Sequence, residues 1–291
     1  MKYNILFLLH FCILFFSFPI LAQDTIPITI GNDNRIYLKA SVNGSEALDF
    51  IFDTGASAMV ANTTMTDKKL QLTYGSTIEN IGANGVSTQR VSAGNTLRIG
   101  RFERKNEELI GIAYPKEHYS FDGVIGYPFF EDYLMEIDYA SQRIVIHTSE
   151  KTIANPNTFE KISLQFMGDL FYMDMTVFKK ETPATFPVMI DTGYNGDLIV
   201  YHKIVSQKGL ADQFQNLGSS QSEGTDGTIM RSDEVMIPKA MFANILVENI
   251  NANLNKTPAT IDFTAIVGGA IMKDFHWIFD FKKRLLYIKS R

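Results

Sequence analysis

The chain has 291 residues, 45% of them hydrophobic and 20% charged, with 20 Gly, 9 Pro and a single Cys. That composition excludes collagen-like, disordered and disulfide-scaffold chains, and the length predicts two cores rather than one. With 27 Lys+Arg against 32 Asp+Glu, a net charge of −5, and no basic block longer than Lys282-Lys283-Arg284, nucleic acid is not an expected partner.

Lys2 precedes an apolar run from Ile5 to Leu21, and polarity returns abruptly at Ala22-Gln23-Asp24. Residues 1–22 are therefore read as a secretory signal peptide cut after Ala22. The competing reading is a membrane anchor, because the run approaches the lower limit for a spanning helix. Cleavage would remove Cys12, the only cysteine, and leave a chain held by core packing alone. A secreted or bacterial periplasmic location follows as the expectation, with no membrane span after cleavage.

From Ile26 onward the apolar stretches are short, rich in Val, Ile, Phe and Tyr, and broken by turn residues. Tyr37 to Val42, then Asn43-Gly44, then Ala47 to Phe52 predicts a hairpin, and the rest of the chain predicts mostly β structure. The best helical segments are Asn62 to Leu72 and Tyr201 to Leu210.

The chain then repeats itself. Phe52-Asp53-Thr54-Gly55-Ala56 has a partner in Ile190-Asp191-Thr192-Gly193-Tyr194, offset by 138, and Val124-Ile125-Gly126 has one in Ile266-Val267-Gly268, offset by 142. At the second offset Asp132 matches Asp274, Asp138 matches Asp280 and Ile146 matches Ile288. Two motifs in one order at nearly one offset predict a duplicated lobe. The expected organisation is an N-terminal lobe over 23–148, a linker over 149–160, where Lys, Thr, Asn and Pro replace the apolar alternation, and a C-terminal lobe over 161–291.

Each Asp-Thr-Gly triplet ends an apolar strand, so each delivers a carboxylate to a buried strand end. An ionised carboxylate alone there is costly and must be hydrogen-bonded, paired or protonated. The Gly permits close backbone approach, and the Thr hydroxyl can bond across to the partner lobe. If the lobes face each other about a pseudo-two-fold axis, Asp53 and Asp191 share one proton. One then serves as base toward a water while the other hydrogen-bonds a carbonyl oxygen, the chemistry of peptide hydrolysis.

On these residues the chain resembles the pepsin and retropepsin group of aspartic peptidases. Asp53-Thr54-Gly55-Ala56-Ser57 and Asp191-Thr192-Gly193 match the catalytic loops. Phe121 to Gly126 and Ala265 to Gly268 match the hydrophobic-hydrophobic-Gly segments behind them. The resemblance implies an all-β, bilobal pepsin-like fold of duplicated retropepsin-like β-barrel lobes with short helices. Asp53 and Asp191 would be catalytic, supported by Thr54, Gly55, Ala56, Thr192 and Gly193, in a monomer acting on a peptide or protein substrate without cofactor or metal.

Ala56 and Tyr194 depart from the pepsin pattern, which usually has Ser or Thr after each catalytic Gly. The loss of those donors predicts a less acidic optimum than pepsin's. A flap is expected at Ile81 to Val86, with Gly82, Asn84 and Gly85 forming a glycine-rich turn without a tip tyrosine. His118, His147, His202 and His276 are scattered and show no zinc-ligand spacing. His276-Trp277 reads as core or interface, and Lys282-Lys283-Arg284 as a hairpin turn. Two rivals are carried: a catalytically inactive peptidase-like module that binds a peptide or protein, which Tyr194 would favour by crowding the site, and a two-carboxylate glycosidase.

Overall fold

Alternating apolar residues build every strand that carries the motifs. In the strand Leu48–Asp53, Phe50 and Phe52 are fully buried on one face, while Ile51 packs on the other with Val60, Ile110, Phe121 and Val124. The strand Ala184–Asp191 does the same: Phe186, Val188 and Ile190 enter the main core, and Met189 joins a second cluster with Tyr172, Ile199 and Ile266. Both faces are covered, so the terminal aspartates are held by packing on two sides. The computed structural model describes residues 24–82, 85–115, 119–180, 182–223, 229–258 and 263–291. The segment read as a signal peptide lies outside them.

The fold is all-β, with three short helices among the described residues. Two eight-stranded sheets repeat one topology. The first runs in the order Thr29–Ile30, Ile36–Val42, Leu48–Asp53, Gly123–Gly126, Met59–Asn62, Phe102–Ile112, Gly85–Ile99, Ser76–Gly82. The second runs Gln165–Met167, Leu170–Val177, Ala184–Asp191, Ala265–Gly268, Leu198–Val200, Ile245–Asn255, Ile229–Phe242, Gln215–Glu223. In each, the second strand also pairs with the seventh and closes a six-stranded barrel.

A third, six-stranded sheet ties the halves together: Asp24–Pro27, Arg143–His147, Leu134–Asp138, Phe275–Asp280, Leu285–Ser290, Glu160–Ser163. Its two central strands come from opposite halves of the chain and pair antiparallel, with Ile137 opposite Trp277 and Leu134 opposite Asp280. Trp277 is fully buried there, its Nε1 donating to the Met272 carbonyl at 2.7 Å. His276 brings its Nδ1 to 3.6 Å from Glu136 Oε1 across the same seam. Asp138 and Asp280, matched in the sequence, play the same part in their two hairpins. Each accepts a turn amide, from Ser141 at 3.1 Å and Lys283 at 3.0 Å. The turns then close through left-handed Gln142 and Arg284.

The helices are shorter than the sequence pattern suggests. Asn62 to Leu72 yields only Thr63–Thr66, and Tyr201 to Leu210 yields His202–Gln207. Three threonines in the first segment stiffen the chain against helix, and Thr66 spends its hydroxyl on the Asn62 carbonyl. The second is stopped by Gly209 at φ +57°, with Leu210 N–H bonded to the Val205 carbonyl and Gly209 N–H to Ser206. The stretch 149–160 carries two 3-10 turns, Glu150–Thr152 and Pro156–Thr158.

Candidate active site

The loops after Asp53 and Asp191 lock together through their threonines. Thr54 N–H donates to Thr192 Oγ1 and Thr192 N–H to Thr54 Oγ1, both at 3.0 Å. Each hydroxyl then donates onward, Thr54 Oγ1 to the Ile190 carbonyl at 2.7 Å and Thr192 Oγ1 to the Phe52 carbonyl at 2.6 Å. Both threonines are wholly buried, so every one of these groups would be unsatisfied without its opposite number.

This grip brings the carboxyls together. The Asp53 and Asp191 carboxyls face each other closely enough for each to shift the other's titration. Gly193 lies flat against Asp53 and Gly55 against Asp191: a Cβ on Gly193 would stand 2.5 Å from Asp53 Cγ, and one on Gly55 2.6 Å from Asp191 Cγ. The Gly segments behind the loops are required for the same reason. Parallel pairing sets Gly126 beside Asp53 and Gly268 beside Asp191. A Cβ at Gly126 would meet the Ala56 carbonyl at 2.5 Å, and one at Gly268 the Tyr194 carbonyl at 2.6 Å.

The surroundings of the two acids differ. Asp53 Oδ1 accepts the Gly55 amide at 2.8 Å. Asp191 Oδ1 accepts two amides, from Gly193 at 2.7 Å and Tyr194 at 3.0 Å. Burial raises the Asp53 pKa well above the ordinary carboxylate range, and the facing Asp191 adds to the rise. Burial raises Asp191 too, but the bond from Asp53 and the two amides draw it back, while the Arg35 charge lowers both acids. Two buried carboxyls this close cannot both ionise cheaply, which favours one shared proton. The pair therefore offers an acid and a base at one point.

Ala56 supplies no hydroxyl, and Tyr194 turns its own away. The Tyr194 ring lies against Gly196 and Gly268, and its Oη accepts from Asn253 Nδ2 at 3.3 Å. The crowding expected of Tyr194 is thus replaced by packing into the second-lobe cluster of Met189, Tyr201 and Ile266. Tyr114 neighbours Asp53 and Tyr201 neighbours Asp191, and burial raises the pKa of both phenols.

Of the expected flap residues, Gly82 and Gly85 pair with each other at the end of a long hairpin, and Ile81 faces Val86. Asn84 lies outside the described residues. A matching hairpin, Gln215–Glu223 with Ile229–Phe242, rises from the other lobe, and no sequence motif announced it. Arg35 was also missed. Its Nε donates to the Gly193 carbonyl at 2.7 Å, so a residue before the first long strand touches the Asp191 loop, 158 positions away. No local pattern marks such a contact.

Residues 38–129 match the model of a family described as aspartyl protease. The matched stretch holds Asp53-Thr54-Gly55 and Val124-Ile125-Gly126 and supports a protease-type hydrolase function. No curated protein matches the chain.

Proposed function

We propose that the protein is a secreted, monomeric aspartic endopeptidase that hydrolyses peptide bonds with Asp53 and Asp191. The observation that carries this reading is the meeting of the two buried carboxyls on abutting, threonine-locked loops, each packed against the glycine of the opposite loop. In the proposed reaction the ionised carboxylate takes a proton from a water while the protonated carboxyl hydrogen-bonds the scissile carbonyl oxygen. The water oxygen attacks the carbonyl carbon, and the proton passes to the leaving nitrogen as the C–N bond breaks, so no acyl-enzyme forms. The contact between the two carboxyls speaks against a glycosidase, whose paired carboxyls stand about 5 Å or more apart to accommodate the sugar.

The fold of Tyr194 away from the acids supports catalysis over an inactive peptide-binding module. Secretion rests on the apolar segment at residues 5–21, with a bacterial periplasm or exterior as the compartment. Among the described residues no helix is long and apolar enough to cross a membrane.

The test compares the purified mature chain with its Asp53→Asn variant on a peptide library from acid to neutral pH, with and without pepstatin. Cleavage lost in the variant and blocked by pepstatin is expected. Equal cleavage by both removes the pair from the chemistry, and absence of cleavage by either selects the binding module.

A further inference from the structure

The turn between Thr29–Ile30 and Ile36–Val42 reaches across the lobe boundary. Asn34 Nδ2 donates to the Asn195 carbonyl at 3.2 Å, and Lys273 Nζ returns to Asn34 Oδ1 at 3.0 Å. Beside them Arg35 is held at two points: Nη1 donates to Asp33 Oδ2 at 2.9 Å, and Nε to the Gly193 carbonyl at 2.7 Å. Asp33 Oδ2 also accepts the Tyr37 hydroxyl at 2.9 Å, which fixes the far end of the pair. The Arg35 side chain is only 16% exposed.

The Gly193 carbonyl belongs to the same peptide group as the Tyr194 N–H, and that N–H donates to Asp191 Oδ1 at 3.0 Å. A continuous chain therefore runs from guanidinium to carbonyl and from amide to carboxylate. A cation bonded at the oxygen of a peptide polarises it and strengthens its N–H as a donor. The duplicate lobe lacks this device. Tyr37 faces Ile51 and Tyr172 faces Met189 in the two copies, so Arg35 has Leu170 as its counterpart.

We propose that Arg35 is the positioning residue that breaks the symmetry of the pair: acting through the Gly193–Tyr194 peptide, it fixes Asp191 as the ionised general base and leaves Asp53 to carry the shared proton. This assignment rests on the aspartic peptidase reading. The other groups facing the pair are Tyr114 beside Asp53, and Tyr194 and Tyr201 beside Asp191; burial raises all three phenols, so they stay neutral across the working range. Around Arg35 stand Asp33, Tyr37 and Tyr119. Burial pushes Asp33 up, but the bonds from Tyr37 and Arg35 bring it below its ordinary value, so it remains a fixed anion.

Site-resolved carbon-13 titration of the Asp53 and Asp191 carboxyls tests the assignment without reference to cleavage. In the wild-type mature chain Asp191 is expected to ionise first. In Arg35→Leu, which installs the residue of the duplicate lobe, the gap between the two steps should close by about one pH unit. An unchanged gap, or Asp53 ionising first in the wild type, overturns the proposal. The pH–rate profile gives a second reading: removal of the cation should move the acid limb of kcat/KM upward by about one pH unit. A uniform fall in kcat with unmoved limbs would mark Arg35 as structural only and overturn the proposal. Should Arg35→Leu fail to fold, Arg35→Gln keeps a donor without the charge, and the same shift is required of it. A wild-type chain that cleaves nothing would count against the peptidase reading alone, because the carbon-13 titration still decides the role of Arg35.

Discussion

Thr54 and Thr192 each donate a backbone N–H to the other's hydroxyl at 3.0 Å, and each hydroxyl donates to a carbonyl of the opposite strand. The two loops are thereby fastened to each other by four hydrogen bonds. Thr54→Val removes the hydroxyl while keeping the shape. It leaves the Thr192 amide and the Ile190 carbonyl buried without partners, at about 1–3 kcal/mol for each unsatisfied group. Chemical denaturation should show a loss in that range, with cleavage reduced as well. Thr54→Ser, which keeps the bonds, should lie close to wild type, and equal losses in the two variants would show that the methyl, not the grip, matters.

Gly193 and Gly55 stand where a side chain has no room. Gly193→Ala would press its Cβ into the Asp53 carboxyl, 2.5 Å from Cγ, and Gly55→Ala would do the same to Asp191 at 2.6 Å. The clash falls on the acids themselves, so activity should fall by at least about 100-fold, as expected when reacting groups are displaced by an ångström. The measurement is kcat on a cleaved peptide beside a circular-dichroism melt. Near-normal kcat in either variant would place the reacting geometry elsewhere.

Much of this site could be read from the chain because duplication leaves a written trace. Asp53 and Asp191, their Thr-Gly sequels and the paired Ile125-Gly126 and Val267-Gly268 recur in order, and each Gly is demanded by a close approach, of the opposite carboxyl at Gly55 and Gly193 and of loop backbone at Gly126 and Gly268. Arg35 left no trace, since its contact with Gly193 spans 158 positions and has Leu170, not arginine, as its duplicate. The second hairpin was hidden for a related reason. Gln215–Glu223 carries Gly, Ser, Gln and Asn rather than an apolar alternation, and only its pairing with Ile229–Phe242 makes it a strand. The helices were overread because periodicity does not register the stiffness of Thr63, Thr64 and Thr66.

The acid pair should cost stability at neutral pH. Burial and the facing Asp191 raise Asp53 well above the ordinary carboxylate range, so its neutral form favours the fold. That contribution is complete below the unfolded-state pKa and disappears as pH rises through the raised, folded-state value. Asp53→Asn stays neutral throughout and can still face Asp191 with a donor. Its Tm should therefore exceed that of wild type at neutral pH, and the difference should shrink as the solution is acidified. A difference independent of pH would mean that Asp53 does not carry a raised pKa.

The residues after Gly55 and Gly193 bear on the pH at which the proposed pair should work. Ala56 has no hydroxyl to offer Asp53, and the Tyr194 hydroxyl is committed to Asn253 at 3.3 Å. Neither acid receives a hydroxyl donor from the residue after its glycine, whereas burial raises both. Cleavage should accordingly peak at less acidic pH than gastric pepsin. Ala56→Ser places a hydroxyl one residue beyond Gly55, within reach of Asp53, and a donor to a carboxylate lowers its pKa. Both limbs of the pH–rate profile should then move toward acid by a few tenths of a unit to about one unit. Tyr194→Ser is the poorer test: it would also empty the space that the ring fills against Gly196 and Gly268, confounding a change in pKa with a packing defect. A wild-type optimum in strong acid, or limbs unmoved in Ala56→Ser, would show that the acids draw their ionised-state donors from elsewhere.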